Sequence, residues 1–281
     1  MTILQRRTTV DVLTDATASG DAAQIAAANA MPIWQEDRVI VTGTLGCWDF
    51  KSPYCNSGAA ITTSTTFANL VRGGSPITVT DATGMTQKLN GSSQLIGVRM
   101  TSTSGKMLLP AACKPVAGQG RFGIAIWATL NARDTTKFSS LGGYGYALTT
   151  QNAIAIEIPS TGGGTNIVPY IDGNPATGHA YTLGSPFQIA AEYVPNGASS
   201  VKNTFWNGAQ LVSVTYDNGG SLNIPTQSGF TDFMIGQLGS HDNTGLDWTI
   251  HRIVVEDFAT SGRTMADLVA ASWSAYSTRF S

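Results

Sequence analysis

From Val39 onward the chain runs in short stretches where apolar and polar residues alternate, or where apolar residues cluster over strand lengths. Alternation with a period of two places successive side chains on opposite faces of a strand, so the pattern predicts β-structure rather than helices. The clearest stretch is Arg121–Leu130, in which Phe122, Ile124, Ile126, Ala128 and Leu130 share one face. Further strands are predicted at Arg38–Thr42, Pro76–Thr80, Gln94–Met100, Lys106–Leu109, Tyr144–Leu148, Ala153–Ile158 and Ile167–Ile171. Phe187–Val194, Lys202–Trp206, Gln210–Tyr216, Phe230–Gly236 and Trp248–Val255 complete the series. Asp172-Gly173 and Asn207-Gly208 each separate two such stretches. These dipeptides suit the type I′ hairpin turn, which needs positive φ at both central residues. Gly162-Gly-Gly164 and Asn218-Gly-Gly220 mark looser loops. Many short strands with turns at this spacing predict an all-β fold, an antiparallel β-sandwich or barrel.

The two ends read differently. Asp21–Ala30 is a good local helix former with Ser19 or Asp21 as N-cap, and Met31-Pro32 stops it. Its side chains are too small to bury much area alone, so residues 1–37 are expected to form an arm separate from the body at 38–281. The arm is held either by the chain's own body or by a neighbouring subunit, with Ile25, Met31 and Trp34 as its assembly residues. At the other end Thr264-Met-Ala-Asp267 resembles a capping box. Met265, Leu268, Val269, Trp273, Tyr276 and Phe280 then form one apolar stripe at helical spacing, which predicts a C-terminal helix packed on a sheet.

Composition removes several function classes. Only 12% of the 281 residues are charged, about half of the roughly 25% usual in globular proteins. With 42% hydrophobic residues and a net charge of −2, the chain is neither disordered nor a coiled coil. It carries no bulk field for nucleic acid. No apolar run is long enough to cross a bilayer. No apolar stretch follows the charges of Met1–Arg7, so no secretory signal is expected and the chain is expected to be made in a cytoplasm and not exported by that route. Cys47, Cys55 and Cys113 lack metal-type spacing. Cys47 and Cys55 can bridge a short loop, or all three are free thiols packed as small apolar groups.

Several motifs, taken in order, resemble the laminin-G-like, concanavalin-A-like jelly-roll family. Leu45-Gly-Cys-Trp-Asp-Phe50 is similar to the family's opening strand, and Phe67–Leu70 with Asp81–Gly84 to the polar stretch after it. Lys106-Met-Leu-Leu-Pro110 and Phe122–Trp127 resemble the next two strands. Phe205-Trp-Asn-Gly208 resembles the family's hairpin, and Ile235-Gly236 and Trp248–Val255 its last segments. The resemblance implies a jelly-roll sandwich over about six-sevenths of the chain, with the N-terminal arm and the C-terminal helix appended. It fails where an inherited calcium or sugar site would lie, because Thr249-Ile-His251 replaces the usual acidic pair. The Ala-rich arm, the low charge and the Thr-, Ser- and Gly-rich composition also resemble bacteriophage virion proteins. That resemblance implies a tail-fibre, baseplate or capsid-decoration component whose arm binds other virion proteins. A homo-oligomer is expected, a trimer being favoured, with host surface glycan as ligand and neither nucleic acid nor membrane insertion. The alternative is a free carbohydrate-binding lectin or a glycan-acting enzyme.

The candidate chemistry is sparse. A glycanase on this fold needs two carboxylates on one strand face, two or four residues apart. Glu157, Glu192 and Glu256 each lack such a partner. Among His179, His241 and His251 no nucleophile elbow supports a triad, and no enzymatic activity is expected. His251 is expected to be structural. Gly239–Asp247 is oxygen-rich, so Asp242 and Asp247 are either weak calcium ligands or part of a solvated loop; no other cofactor is expected. A sugar site needs an apolar ring face plus directed hydrogen bonds. Tyr144 and Tyr146 in a glycine-rich segment, Trp206 and Asn207 at a hairpin, and His241 and Asp242 are the candidates, with Trp206 and Tyr144 each either rim or core.

Overall fold

The computed structural model describes residues 37, 39–101, 104–145, 152–160, 165–216, 222, 224–226, 231–236, 238, 241 and 243–280. The arm residues Ile25, Met31 and Trp34, and the site candidates Tyr146 and Asp242, lie outside these. The strands are β1 (Thr44–Asp49), β2 (Thr66–Phe67), β3 (Ile77–Asp81), β4 (Met85–Leu89), β5 (Leu95–Met100), β6 (Lys106–Leu108), β7 (Phe122–Ala132) and β8 (Ser139–Gly145). They continue with β9 (Asn152–Ile158), β10 (Asn166–Ile171), β11 (Asn174–Pro175), β12 (His179–Ala180) and β13 (Pro186–Asn196). β14 (Ser199–Trp206), β15 (Ala209–Tyr216), β16 (Phe233–Gly236) and β17 (Asp247–Asp257) complete the set, followed by helices α1 (Phe258–Ser261) and α2 (Met265–Tyr276).

All strand pairings are antiparallel, and they make two sheets. One runs β15-β14-β13-β7-β17-β5-β4, the other β11-β10-β9-β8-β16-β6-β3-β2, with β12 also on β10. The fold is an all-β sandwich. Phe122, Ile124, Ile126, Ala128 and Leu130 lie in the core between the sheets, as the alternation predicts. The opposite face of the first sheet is covered too: Ala125, Ala190, Phe205 and Val254 pack under Met265, Leu268 and Val269 of α2. Thr264 and Asp267 form the expected capping box. Trp273 stacks on Trp127 with centroids 5.0 Å apart. Both predicted I′ turns are present, with φ +56° and +73° at Asp172-Gly173 and +48° and +84° at Asn207-Gly208.

β17 serves two neighbours on one edge. Trp248–Ile250 pairs with β5, and Arg252–Glu256 pairs with β1. At the change of neighbour, the register with β7 slips between Ile250 and Arg252, so His251 is the extra residue of a bulge. Gly97 leaves the room: a Cβ there would meet the Ile250 carbonyl at 2.4 Å and His251 Nδ1 at 3.0 Å.

Two expectations are corrected. Of the strand expected at Arg38–Thr42, the described residues 39–42 are not extended in a sheet: Thr44 N–H donates to the Val41 carbonyl at 3.0 Å, Gly43 takes φ +96°, and this turn leads into β1 at Thr44. The strand expected at Tyr144–Leu148 begins earlier, at Ser139, and its glycines are what allow it to pack. A Cβ on Gly143 would lie 2.6 Å from Ala155 Cα on the neighbouring strand. Gly143→Ala is therefore expected to cost on the order of 1–3 kcal/mol by overpacking, read as a lower urea midpoint with unchanged slope. Lastly, the short strands β2, β4, β11 and β12 carry too little alternation to be seen in the sequence. Cys47, Cys55 and Cys113 are buried and are not joined to one another by a disulfide.

Candidate functional site

The β14–β15 hairpin, whose turn lies at one end of the sandwich, carries an aromatic group and a buried polar group on the same face of β14. Asn207 and Gly208 make the turn, and the Asn207 carboxamide oxygen accepts from Gln188 N–H at 2.8 Å. Asn207 is thus occupied in fixing the hairpin against β13. Alternation along β14 then points Trp206, Thr204, Lys202 and Ser200 toward the second sheet, since these pair in register with Ile189, Ala191, Tyr193 and Pro195. Trp206 is half-buried and lies in a three-ring stack. His179 of β12 is parallel to it at 4.3 Å, and Phe187 of β13 at 4.9 Å. Phe187 is buried and His179 is partly exposed, so the stack runs from the core to an imidazole at the surface.

Farther along the same face of β14 the interior turns polar. The side chains of Lys202 and Asp172 are each 1% exposed, with Nζ 3.8 Å from Oδ2. Nζ also sits 3.9 Å from the centroid of the Tyr216 ring. Burial pushes the Lys202 amine down to about 8, against the opposing pull of Asp172. The hydroxyls of Ser200 and Thr204 are buried and make no hydrogen bond among the described residues.

The residues singled out from the sequence do not gather in one place. Tyr144 is buried in the core with its ring 6.1 Å from Phe233, so it offers no ring face to solvent. His241 is buried as well, packed on Phe138 at 4.7 Å. Its Nδ1 faces the Leu238 carbonyl at 2.7 Å, and its Nε2 is 3.4 Å from Glu157 Oε1. An N–H on Nδ1 leaves two acceptors facing each other unless one further proton sits between Nε2 and Oε1. Burial raises the Glu157 carboxyl, which helps it hold that proton. Asp247 is no open metal ligand. Arg99 donates to both its oxygens, at 2.9 and 2.5 Å, and holds its carboxyl below the usual range. Among the described residues no group of three or more His, Cys, Asp or Glu side chains is placed to hold a metal ion.

The other acidic residues are also committed. Glu192 accepts from Arg121 at 2.6 Å and Asn203 at 2.8 Å. Glu256 pairs with Arg263. His251 is structural, as expected: its ring nitrogens lie 2.8 Å from Thr129 Oγ1 and 2.7 Å from the Ile96 carbonyl. Of the sequence-derived candidates Trp206 belongs to the stack. No local pattern in the sequence shows that His179 stacks on Trp206 or that Asp172 meets Lys202. Asp172 stood out only as a turn residue, and its closeness to Lys202 joins two sheets, which no local pattern reports.

No family model matches the chain. No curated protein sequence matches it either. Solved structures with the same fold do exist. Trypanosoma rangeli sialidase superposes with a TM-score of 0.54 at 13% identity, over 84% of this chain and 33% of that one. The binding domain of botulinum neurotoxin DC, solved in complex with rat synaptotagmin II, gives 0.51 at 11% identity, over 83% and 51%. The chain therefore spans about a third to a half of these structures, and at such identities the likeness is one of β-sandwich fold.

Proposed function

We propose that the chain is a non-catalytic, carbohydrate-binding β-sandwich of a bacteriophage particle. In this reading residues 1–37 dock a homo-oligomer onto other virion proteins and the body meets host surface glycan. The observation that carries the glycan reading is the His179–Trp206–Phe187 stack, which ends in a partly exposed ring at one end of the sandwich. Saccharides present flat C–H faces to such rings, and each aromatic contact contributes about 0.5–1.5 kcal/mol beyond area burial. The same fold in a sialidase solved with sialic acid is in keeping with a glycan ligand. Support for a non-catalytic role comes from the carboxylates: Glu192 and Glu256 are tied to arginines, and Glu157 is buried beside His241.

Arrays of bacterial surface polysaccharides test this reading. The isolated chain is expected to bind at least one without releasing reducing sugar, and turnover would instead favour the enzyme alternative. Deleting residues 1–37 is expected to leave the body able to bind glycan but unable to join particles; continued incorporation would remove the docking role.

A further inference from the structure

Lys202 is a buried cation whose facing carboxylate, Asp172, stands beyond hydrogen-bond reach. Both side chains are buried at 1% exposure, and the 3.8 Å between Nζ and Oδ2 exceeds hydrogen-bond distance. A buried ion pair recovers its desolvation cost only with close geometry and further hydrogen bonds. Here Nζ instead rests on the face of Tyr216 and makes no hydrogen bond among the described residues. The two residues belong to different sheets. Lys202 lies on β14, and Asp172 opens the turn between β10 and β11.

We propose that Lys202 and Asp172 condense into an intramolecular amide bond, an isopeptide staple between the two sheets of the sandwich. Transfer of one proton from the ammonium to the carboxylate leaves a neutral amine beside a neutral carboxylic acid. Burial draws the Lys202 amine down to about 8, which favours its neutral, nucleophilic form. The Nζ lone pair adds to Asp172 Cγ, the atom bonded to the oxygen that lies 3.8 Å away, and the two side chains must close to the roughly 3–3.5 Å of a near-attack arrangement. The tetrahedral intermediate loses one hydroxyl, which leaves as water with a proton taken from nitrogen. The balance is –NH₃⁺ plus –COO⁻ giving –NH–CO– plus one water, with no oxidant, reductant or other reactant.

The surroundings supply what the step needs. Tyr193 is the register partner of Lys202 on β13. Burial, and then the charge of Asp172, raise its phenol, so it stays protonated as a donor that can polarise the carboxyl. The buried hydroxyls of Ser200 and Thr204 flank Lys202 on the same strand face, two residues away on either side, and make no hydrogen bond among the described residues. They can relay the proton and hold the departing water. The product also replaces two buried charges by one neutral amide.

Mass spectrometry of the purified full chain after protease digestion reads this out directly. The expected result is one branched peptide joining the segment with residue 172 to the segment with residue 202, lighter than their sum by one water. Lys202→Arg keeps the positive charge but is expected to yield the two peptides unlinked. Recovery of separate, full-mass peptides from the folded wild-type chain, even after days at neutral pH, would overturn the proposal. That reading needs only the wild-type protein, so it stands whether or not the variant folds.

Discussion

Asp49→Ala is expected to lower the stability of the sandwich by about 3–5 kcal/mol, the usual cost of stranding one member of a buried ion pair. Asp49 is 1% exposed at the end of β1 and meets two guanidiniums. Arg252 of β17, wholly buried, lies at 3.3 Å, and Arg279 from beyond α2 lies at 2.7 Å. Tyr276 covers both, with the Arg252 guanidinium 4.3 Å and that of Arg279 5.3 Å from its ring centroid. Lys51 completes the closure, its Nζ donating to the Arg279 carbonyl at 2.6 Å. One carboxylate thus joins the first strand, a central strand and the C-terminal turn. With alanine at 49, Arg252 keeps its charge in the interior without the carboxylate that faces it. Asp49→Ala combined with Arg252→Met is expected to recover most of the loss, because an apolar chain of similar volume needs no counter-charge. Urea unfolding of the two single variants and the double variant measures the coupling. A single-variant cost under about 1 kcal/mol, of the size of an exposed pair, would show that the charges are solvated.

Acidification is expected to remove about 3 kcal/mol through His251 alone. Burial brings its pKa down from 6.5 to about 4, partly opposed by the Ile96 carbonyl, with Lys51 and Lys88 adding to the fall. The unfolded chain binds a proton near pH 6.5 and the folded chain only near 4. Between these values the unfolded state holds more protons, so stability falls as pH falls. The full contribution is present above pH 6.5 and is lost progressively on the way down to 4, and about 2.5 pKa units correspond to roughly 3 kcal/mol. Glu157, whose carboxyl is raised by burial, acts with the opposite sign, since the folded state keeps its proton to higher pH. The comparison is therefore between His251→Gln and wild type over this range. The variant is expected to show a flatter profile, and an unchanged slope would mean that His251 titrates normally in the fold.

Much of this architecture is legible from local chemistry. β7 could be read because every second residue from Phe122 to Leu130 is apolar and the strand lies at the centre of its sheet. The two I′ turns could be read because Asp-Gly and Asn-Gly tolerate positive φ. α2 could be read from Thr264, Asp267 and one apolar stripe. The glycine-rich run at Leu141–Gly145 was harder, because glycine signals loops and close-packed strands alike. Only the neighbouring strand, with Ala155 against Gly143, distinguishes the two. The same limit governs the site. Trp206 stands out in sequence beside its hairpin turn, whereas the partners of its stack come from two other strands. The Lys202–Asp172 contact and the Glu157–His241 pair are likewise products of sheet packing, and alternation assigns a face without saying what the face meets.

Titration calorimetry of the purified chain with the polysaccharide that binds best on the array tests the central claim most directly. Saturable binding is predicted for wild type, weakened roughly three- to tenfold in His179→Ala, the loss expected for one aromatic contact of about 0.5–1.5 kcal/mol. Tyr144→Phe, a change in the core away from the stack, is predicted to leave the affinity unchanged. Equal affinity in wild type and His179→Ala, or no saturable binding to any surface polysaccharide, would contradict the assignment of a glycan site to the His179–Trp206 end of the sandwich.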